Sequence, residues 1–495
     1  MRYTLSLLLS LLFTGTLLAR AFPKREFRGA WIQTVFQAEY SRMTPAEMQA
    51  DFIQKLDFLQ ARGINAILFQ VRPEADAWYE SRFEPWSRFL TGQQGLAPDP
   101  FFDPTRFLIR ECHRRNMEFH AWINPFRAGT SGTAHLSPDH LYHAHPGWFV
   151  LYNNQLLFDP GVPACRQHLL AVIRDLVSRY DIDAVHLDDY FYPYPVAGIP
   201  FPDDASFRAH GIPAGFAPDQ RAEWRRENVN KLVRDLKKTI SRAKPWVRFG
   251  VSPFGIYRNK KDTPNGSGSD TRGTQNYSDL YADILLWEKN GWVDYIIPQL
   301  YWEIGHEAAD YITLARWWNK NTRHAHLYIG QDVARAMKAG DLPGKMHLAR
   351  DLPRVKGNCF WPANEILRDN GGIVDSLDAR HHRYPALIPP FTRLSSHRPA
   401  RPRQVKVQRD EGGYTLRWEA RAERREDHLP RYFVIYGFAP GEKVDIEDPS
   451  KIKAITRRPG CYIPLKGRHL RYRFVVTAVD RYHNESRGRT IQLTL

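Results

Sequence analysis

The 495-residue chain is short of the features that usually place a protein at once. It has only four cysteines, Cys112, Cys165, Cys359 and Cys461, widely separated and without the C-x-x-C spacing of a structural metal site. They are expected to be mostly buried thiols rather than a disulfide framework. Beyond the first 21 residues no apolar run is long enough to cross a bilayer, and no cysteine stands near that first stretch to accept a lipid. Lys and Arg outnumber Asp and Glu by 70 to 54, for a net charge of +16, but the basic residues are scattered and no recognition motif accompanies them. Nucleic acid is therefore not an expected partner. No cofactor and no metal is implied by any motif.

What is present is more directive. The length suits one barrel-sized unit and a small module. The opening MRYTLSLLLSLLFTGTLLARA sets Arg2 before an apolar run and ends in Ala19-x-Ala21, the pattern of a secretory signal peptide over residues 1–21. The mature chain is thus expected to be exported, to the periplasm, the cell envelope or the medium. There its positive charge would favour anionic polymers or surfaces. With 14 Trp and 23 Tyr, aromatic faces are plentiful, and sugar rings stack on such faces as readily as core residues do.

The stretch YDIDAVHLDDYFYPY, Tyr180 to Tyr194, is central. At the two-residue period of a strand, Ala184, His186 and Asp188 share one face, and Asp189 opens the following loop. Adjacent aspartates at a strand end can simply cap a turn. The rest of the chain argues for more. Eight short apolar segments with polar ends recur, at 27–35, 65–72, 118–126, 184–192, 247–255, 294–302, 326–333 and 357–365, most of them followed by an amphipathic stretch. The first helix is marked by Thr44, Pro45 and Glu47 as N-cap, N1 proline and N3 acid, with Phe52, Leu56 and Leu59 at helical spacing. Eight such repeats predict a (β/α)8 TIM barrel, whose sites lie where the strands end.

Polar residues sit at nearly every one of those ends: Gln70 and Arg72, Trp122 and Asn124, Ser252, Gln299 with Tyr301 and Glu303, and Gln331 with Asp332. The long loops at 73–104, 127–161, 191–218 and 256–276 open on the same face, carrying Trp78, Tyr79, Trp86, Trp148, Phe149, Tyr192, Tyr194, Phe201 and Tyr257. An aromatic-lined cleft is expected, although any one of these rings can equally pack loop against loop. His120 and His186 lie deeper on the parity count and read as core histidines. The barrel domain is assigned to residues 22–394 and a Pro/Arg/Ser-rich linker to 395–403. Residues 404–495, with Trp418 and Tyr472, read as a fibronectin type III-like β-sandwich acting as spacer or attachment module.

The segments REFRGAW, FQVRPEADAWYESRFEPWSRFLTGQQG, AWINPFR, HLDDYFYPYP, FGVSPFGIYRN and GWVDYIIPQLYW resemble the bacterial glycosyl-hydrolase-like family ten, over essentially the whole mature chain. The resemblance implies an exported glycosidase-type barrel. Some members of that family are associated with cleaving peptidoglycan glycan strands stripped of stem peptides. It also implies site roles for Arg72, Glu74, Asp76, Asn124, Asp188, Asp189, Tyr190, Gln299, Tyr301 and Trp302; Glu303 stands outside the family pattern. Set against the chitinase-like DGxDxDxE signature, Asp183 matches the first position, His186 falls at the second, Asp188 at the third, and Tyr190 replaces the acidic Glu.

Glycoside hydrolysis uses two carboxyl groups, one protonated and one ionised. Asp188 or Asp189 is the expected ionised partner, with Arg72 holding a carboxylate charged, and Glu303 is the candidate acid. Glu74, Asp332, Asp203 and Asp204 are reserves. Asn124, Gln299 and Tyr301 would hydrogen-bond sugar hydroxyls, Trp302 and Tyr192 would offer stacking faces, and Trp122 and Tyr190 are further substrate-binding candidates. The expected substrate is a cell-wall polysaccharide, peptidoglycan glycan first, cut by the paired carboxylates. A glycan-binding barrel without turnover, or a glycosidase for a dietary or capsular polysaccharide, are the alternatives.

Overall fold

A computed structural model of the chain describes residues 22–465 and 470–495; the expected signal peptide, residues 1–21, lies outside the described residues. Eight parallel strands, β1 (Phe27–Ile32), β2 (Ala66–Arg72), β3 (Glu118–Ile123), β4 (Ala184–Leu187), β5 (Arg248–Val251), β6 (Tyr295–Ile296), β7 (His326–Asp332) and β8 (Val355–Trp361), close into a barrel in sequential order. This is the TIM-barrel architecture that the eight repeats predict. Closure comes from β1 pairing with both β2 and β8, with Gly29 opposite Ala66 on one side and Cys359 on the other. Each side chain's fate follows from the pleat. Ile67, Phe69, Phe119, Ala121, Val185, Phe249 and Ile329 face outward into the core shared with the helices. Phe27, Trp31, Ala66, Leu68, Trp122, Ala184, Tyr295 and Tyr328 fill the interior.

The helix α1 (Pro45–Ala61) begins at Thr44 as its sequence requires. Glu47 N–H donates to Thr44 Oγ1 at 3.3 Å, and Thr44 N–H to Glu47 Oε2 at 2.8 Å. Strand β6 is much shorter than 294–302, because Pro298 has no N–H to continue the ladder. Beyond it only single bridges from Gln299 to Phe254 and to Gly330 persist. The third loop holds an unanticipated antiparallel sheet, Arg127–Gly129, Phe149–Tyr152 and Gln155–Phe158. Its hairpin turns on Asn153 and Asn154, both at positive φ (47° and 59°), where Asn is tolerated better than most residues.

The barrel interior is polar along its axis. Trp31 Nε1–H donates to His186 Nε2 at 3.2 Å, and Ser252 Oγ lies 3.0 Å from the same nitrogen. His186 Nδ1 then meets the Tyr295 hydroxyl at 3.1 Å, which meets His120 Nδ1 at 3.0 Å. His120 Nε2 in turn lies 2.9 Å from Glu118 Oε2. Both histidines are thus core residues, at the depth the parity count assigns. Tyr295 can lie across the barrel because Gly250 opposes it: a Cβ there would fall 2.1 Å from its ring.

The C-terminal strands β9 (Arg403–Asp410), β10 (Gly413–Glu419), β11 (Tyr432–Phe438), β12 (Ile452–Thr456), β13 (Gly460–Pro464), β14 (Arg471–Val479) and β15 (Arg489–Thr494) form two antiparallel sheets. One holds β9-β10-β13 and the other β12-β11-β14-β15, around Leu416, Trp418, Phe433, Ile435, Phe474 and Val476. This module is docked beneath the N-terminal ends of the barrel strands. His483 Nε2 lies 2.6 Å from Glu118 Oε1, which also pairs with Arg248. Arg431 and Arg481 reach Asp181 at 2.8 and 3.0 Å, and Arg25 reaches Glu485 at 2.7 Å. The bottom of the barrel is therefore closed, leaving the opposite mouth as the open end. All four cysteines are free thiols, and Cys112, Cys165 and Cys359 are buried.

Candidate active site

Asp188 and Asp189 follow directly on Leu187, the last residue of β4, so the strand delivers two carboxyl groups to the mouth and then ends. Asp188 Oδ2 accepts from Trp122 Nε1–H at 3.1 Å and from Asn124 Nδ2–H at 3.0 Å, while its Oδ1 accepts from the backbone N–H of Tyr190 at 3.3 Å. Asn124 cannot flip, because its Oδ1 accepts Arg127 N–H at 2.8 Å. Asp189 accepts from the Tyr194 hydroxyl. Both carboxyl groups are buried.

Burial, and next the neighbouring charge of Asp189, push the Asp188 carboxyl up to about 6. The Arg127 guanidinium, the Trp122 N–H and the Tyr190 N–H oppose that rise without cancelling it. Asp189 is also raised by burial, against the pull of Tyr194 and Gln299. Both carboxyls at this strand end are thus displaced upward from the ordinary aspartate range. Burial and Asp189 hold the Tyr301 hydroxyl well above its ordinary range, so Tyr301 stays protonated beside the pair.

Around this centre the expected residues divide. Trp122, Asn124, Tyr190, Gln299 and Tyr301 are gathered with Asp188 and Asp189; Gln299 Nε2 donates to the Ser252 carbonyl at 3.0 Å. Trp302 is half-buried, edge-on to Phe254 at 5.3 Å. Arg72 is not beside the aspartates. It is fully buried and pairs with Glu84 at 2.7 Å, which also accepts from His168. The cation near Asp188 is Arg127, whose Nε donates to the Pro73 carbonyl at 2.9 Å and whose guanidinium lies over the Tyr190 ring at 5.5 Å.

Glu74 and Asp76 serve the second loop. Glu74 accepts from Arg88 at 2.8 Å and from Thr130 N–H at 2.6 Å, and Asp76 accepts from Glu74 N–H at 3.0 Å and Gln94 at 3.2 Å. Burial, with Glu74 beside it, pushes Asp76 up to about 7. These ties hold the second loop to the third, which explains why the motif is long. Asp332 sits at the end of β7 but caps the next helix, accepting Arg335 N–H at 2.9 Å. Gln331 points outward to Tyr311 and Asn358.

Three expectations are corrected. Tyr192 has no free stacking face: it is buried edge-on against Phe201 at 5.2 Å and Tyr281 at 5.0 Å, because alternation ends with β4 and the loop turns the ring inward. Glu303, the candidate acid, is exposed; among the described residues its side chain makes no hydrogen bond to the aspartates. Asp203 is consumed by Arg225, which grips it at 2.7 Å through both Nε and NH2. Of the loop aromatics, Trp78, Tyr79, Phe149, Phe201 and Tyr257 are buried in packing, leaving Trp86, Trp148 and Tyr194 partly open.

Sequence reasoning passed over three residues, Arg127, Trp361 and Phe36, and named Tyr194 only as one loop aromatic among many. Arg127 and Tyr194 lie inside quoted motifs or loops but carry no strand-end signal. Trp361, at the end of β8, is half-buried with Trp122 and Trp31 edge-on at 5.9 and 6.5 Å, and barrel closure alone brings it there. Phe36, just past β1, is 67% exposed at positive φ (60°), a costly conformation for a bulky residue. It is the third residue of a turn closed by Gln37 N–H to the Thr34 carbonyl at 3.2 Å, and Gln70 Oε1 anchors that turn by accepting the N–H groups of Thr34 and Val35, both at 3.0 Å. Among the described residues no group of three or more His, Cys, Asp or Glu side chains is arranged to hold a metal ion.

A closed (β/α)8 barrel with two adjacent buried carboxyl groups among tryptophans at its open mouth has the build of a glycoside hydrolase. The chain belongs to the glycosyl hydrolase-like 10 family, whose profile it matches over residues 26–341. It is 38% identical to glycosyl hydrolase YngK of Bacillus subtilis over 98% of this chain and 97% of that protein. It is 37% identical to glycosyl hydrolase DigH of Escherichia coli K12 over 61% of this chain and 72% of that one. Among solved structures, the PgaB (BpsB) glycoside hydrolase domain of Bordetella bronchiseptica overlays 72% of this chain and 99% of its own, at 10% identity and a TM-score of 0.48. By its family and its YngK relative, this chain is a glycosidase.

Proposed function

We propose that the chain is an exported glycosidase that cleaves peptidoglycan glycan strands, with Asp188 and Asp189 as its working carboxyl pair. The observation that carries the reading is Asp188 itself: buried, oriented by three donors, and raised to about 6 beside a second carboxyl. Asp188 is the member that carries the proton to the glycosidic oxygen, since a carboxyl raised toward neutrality is partly protonated in the working range. Asp189 is the ionised partner, its charge supported by Tyr194 and Gln299. Asn124, Tyr190 and Tyr301 position sugar hydroxyls, and Trp361 and Trp302 supply open ring faces.

Export is supported by the leader pattern of residues 1–21, and the cell-wall substrate by the family resemblance and the net charge of +16. The C-terminal sandwich is assigned as fibronectin type III-like on its three-on-four antiparallel sheets and its core Trp418. The test is mass spectrometry of products after the mature chain and its Asp188→Asn and Asp189→Asn variants meet peptide-free glycan strands. New reducing ends from the wild type alone support the reading. Binding by all three proteins without cleavage by any rejects this substrate.

A further inference from the structure

The stretch LSSHRPARPRQVKV reads in sequence as a linker, yet in the folded chain it forms one wall of a charged groove. Arg398, Arg401, Arg403, Arg421, Arg487 and Arg489 converge on an open groove of about 650 Å³ at the C-terminal sandwich. They come from the segment before β9, from β9, from the loop after β10, and from the approach to β15 and its first residue, so the convergence is invisible along the chain. All six are exposed. Among the described residues, none of the six makes a salt bridge or a side-chain hydrogen bond. The nearby acids do not neutralise them. Glu419, opposite Arg403 across the strand pair, makes no ion pair with it, and Glu423 accepts from Ala400 N–H at 3.1 Å and lies 3.8 Å from His397.

Six like charges around one groove repel one another, and the fold gains nothing from that unless an anion is present. The backbone behind them is stiffened. Pro399 and Pro402 are buried against the module while Arg398, Arg401 and Arg403 point away, so little chain entropy is lost when a ligand is gripped. The residues are all Arg rather than Lys, and a guanidinium fork matches a carboxylate or phosphate in two-point contact.

We propose that this groove binds a polyanionic polysaccharide, as a second glycan contact separate from the catalytic mouth. The lining contains only Arg, Pro, Ala and Gln. It offers no aromatic ring for stacked bases, as single-stranded nucleic acid sites do, and no bulky apolar side chain to enter a bilayer. The sandwich is docked on the barrel face opposite the mouth, so the groove is not an extension of the cleft. Its function is retention: a polymer held there raises the local concentration of cleavable strand for a mouth carried by the same chain.

The test is binding of the mature full-length protein, by isothermal titration, to sodium polygalacturonate, neutral dextran and single-stranded DNA at several salt concentrations. Wild type is expected to bind polygalacturonate in preference to both, with affinity falling as salt rises. The variant Arg401→Ser/Arg403→Ser/Arg487→Ser/Arg489→Ser should lose about tenfold or more of that affinity and most of its salt dependence, with Tm unchanged. The matching Arg→Lys variant should keep part of it. Undiminished binding by the serine variant, no binding by wild type at low salt, equal binding of dextran, or tighter binding of DNA would each overturn the proposal. Because the readout is binding, failure here is distinct from failure of the cleavage assay.

Discussion

The Trp122 indole N–H donates to Asp188 Oδ2 at 3.1 Å, from a residue on the neighbouring strand whose ring also meets Trp361 edge-on. That bond favours the ionised carboxylate and lowers its pKa against burial. Trp122→Phe keeps most of the ring and removes the donor. The Asp188 pKa should then rise above its value near 6, moving the limb of the kcat/KM pH profile that it governs upward by roughly one unit. An unmoved limb in both Trp122→Phe and Asn124→Leu would show that another group controls the profile.

Phe36 is held open at the mouth in a strained backbone conformation, and strain of this kind tends to accompany function. Replacement by Gly relieves the positive φ and deletes the ring. Stability should therefore hold or improve while KM rises several-fold, with kcat little changed. Equal KM for Phe36→Gly and wild type on long glycan strands would remove Phe36 from the substrate path.

Gly250 is needed for space. A methyl group there would lie 2.1 to 2.4 Å from ring atoms of Tyr295, which bridges His186 and His120. The ring has no slack inside a closed barrel. Gly250→Ala should cost about 3 kcal/mol or more and lower Tm by several degrees, as overpacking of a rigid core does. A Gly250→Ala/Tyr295→Phe double variant should stay nearly as unstable, because it is the ring and not the hydroxyl that clashes.

Acid should unfold the chain through two buried glutamates. Glu26, paired with Arg28 and Arg350, and Glu84, paired with Arg72 and His168, are each held down from 4.5 to about 2 against their burial. A carboxylate depressed in the folded state adds stability above its unfolded pKa, and that stability is lost as pH falls toward the folded value. From pH 7 to 5 the raised Asp76 and Asp188 should add stability as they take up protons, and denaturation midpoints should then drop between about pH 4.5 and 2, each glutamate contributing on the order of 3 kcal/mol. Glu84→Gln should be less stable at pH 7, because Arg72 is left buried without its partner, and its acid slope should be shallower. An unchanged slope would show that the loss comes from other carboxylates.

Much of this was legible residue by residue. All eight strands could be seen because each is a short apolar run bounded by turn residues, and Asp188 could be seen because it continues the inward parity of Ala184 and His186. Parity failed where the strand stopped. Tyr192 keeps the inward phase on paper, but after Leu187 the chain is a loop and packing against Phe201 and Tyr281 decides its direction. Arg72 was misplaced for a related reason: the register shifts between Gln70 and Arg72 against β3, and the side chain turns to Glu84. Arg127, Trp361 and the six-arginine groove carry no local signal, since each acquires its neighbours from segments far off in the chain.

The sequence by itself determined the barrel, its helical caps, the end at which a site would form and the aspartate pair at its centre. These depend on periodicity and local capping, which act over a few residues. Only the tertiary structure decided which cation faces Asp188, which aromatic rings remain open, and that the C-terminal sandwich closes the barrel floor through His483 and Glu118. Those depend on barrel closure and domain docking, which bring together residues hundreds of positions apart whose contact no local pattern encodes.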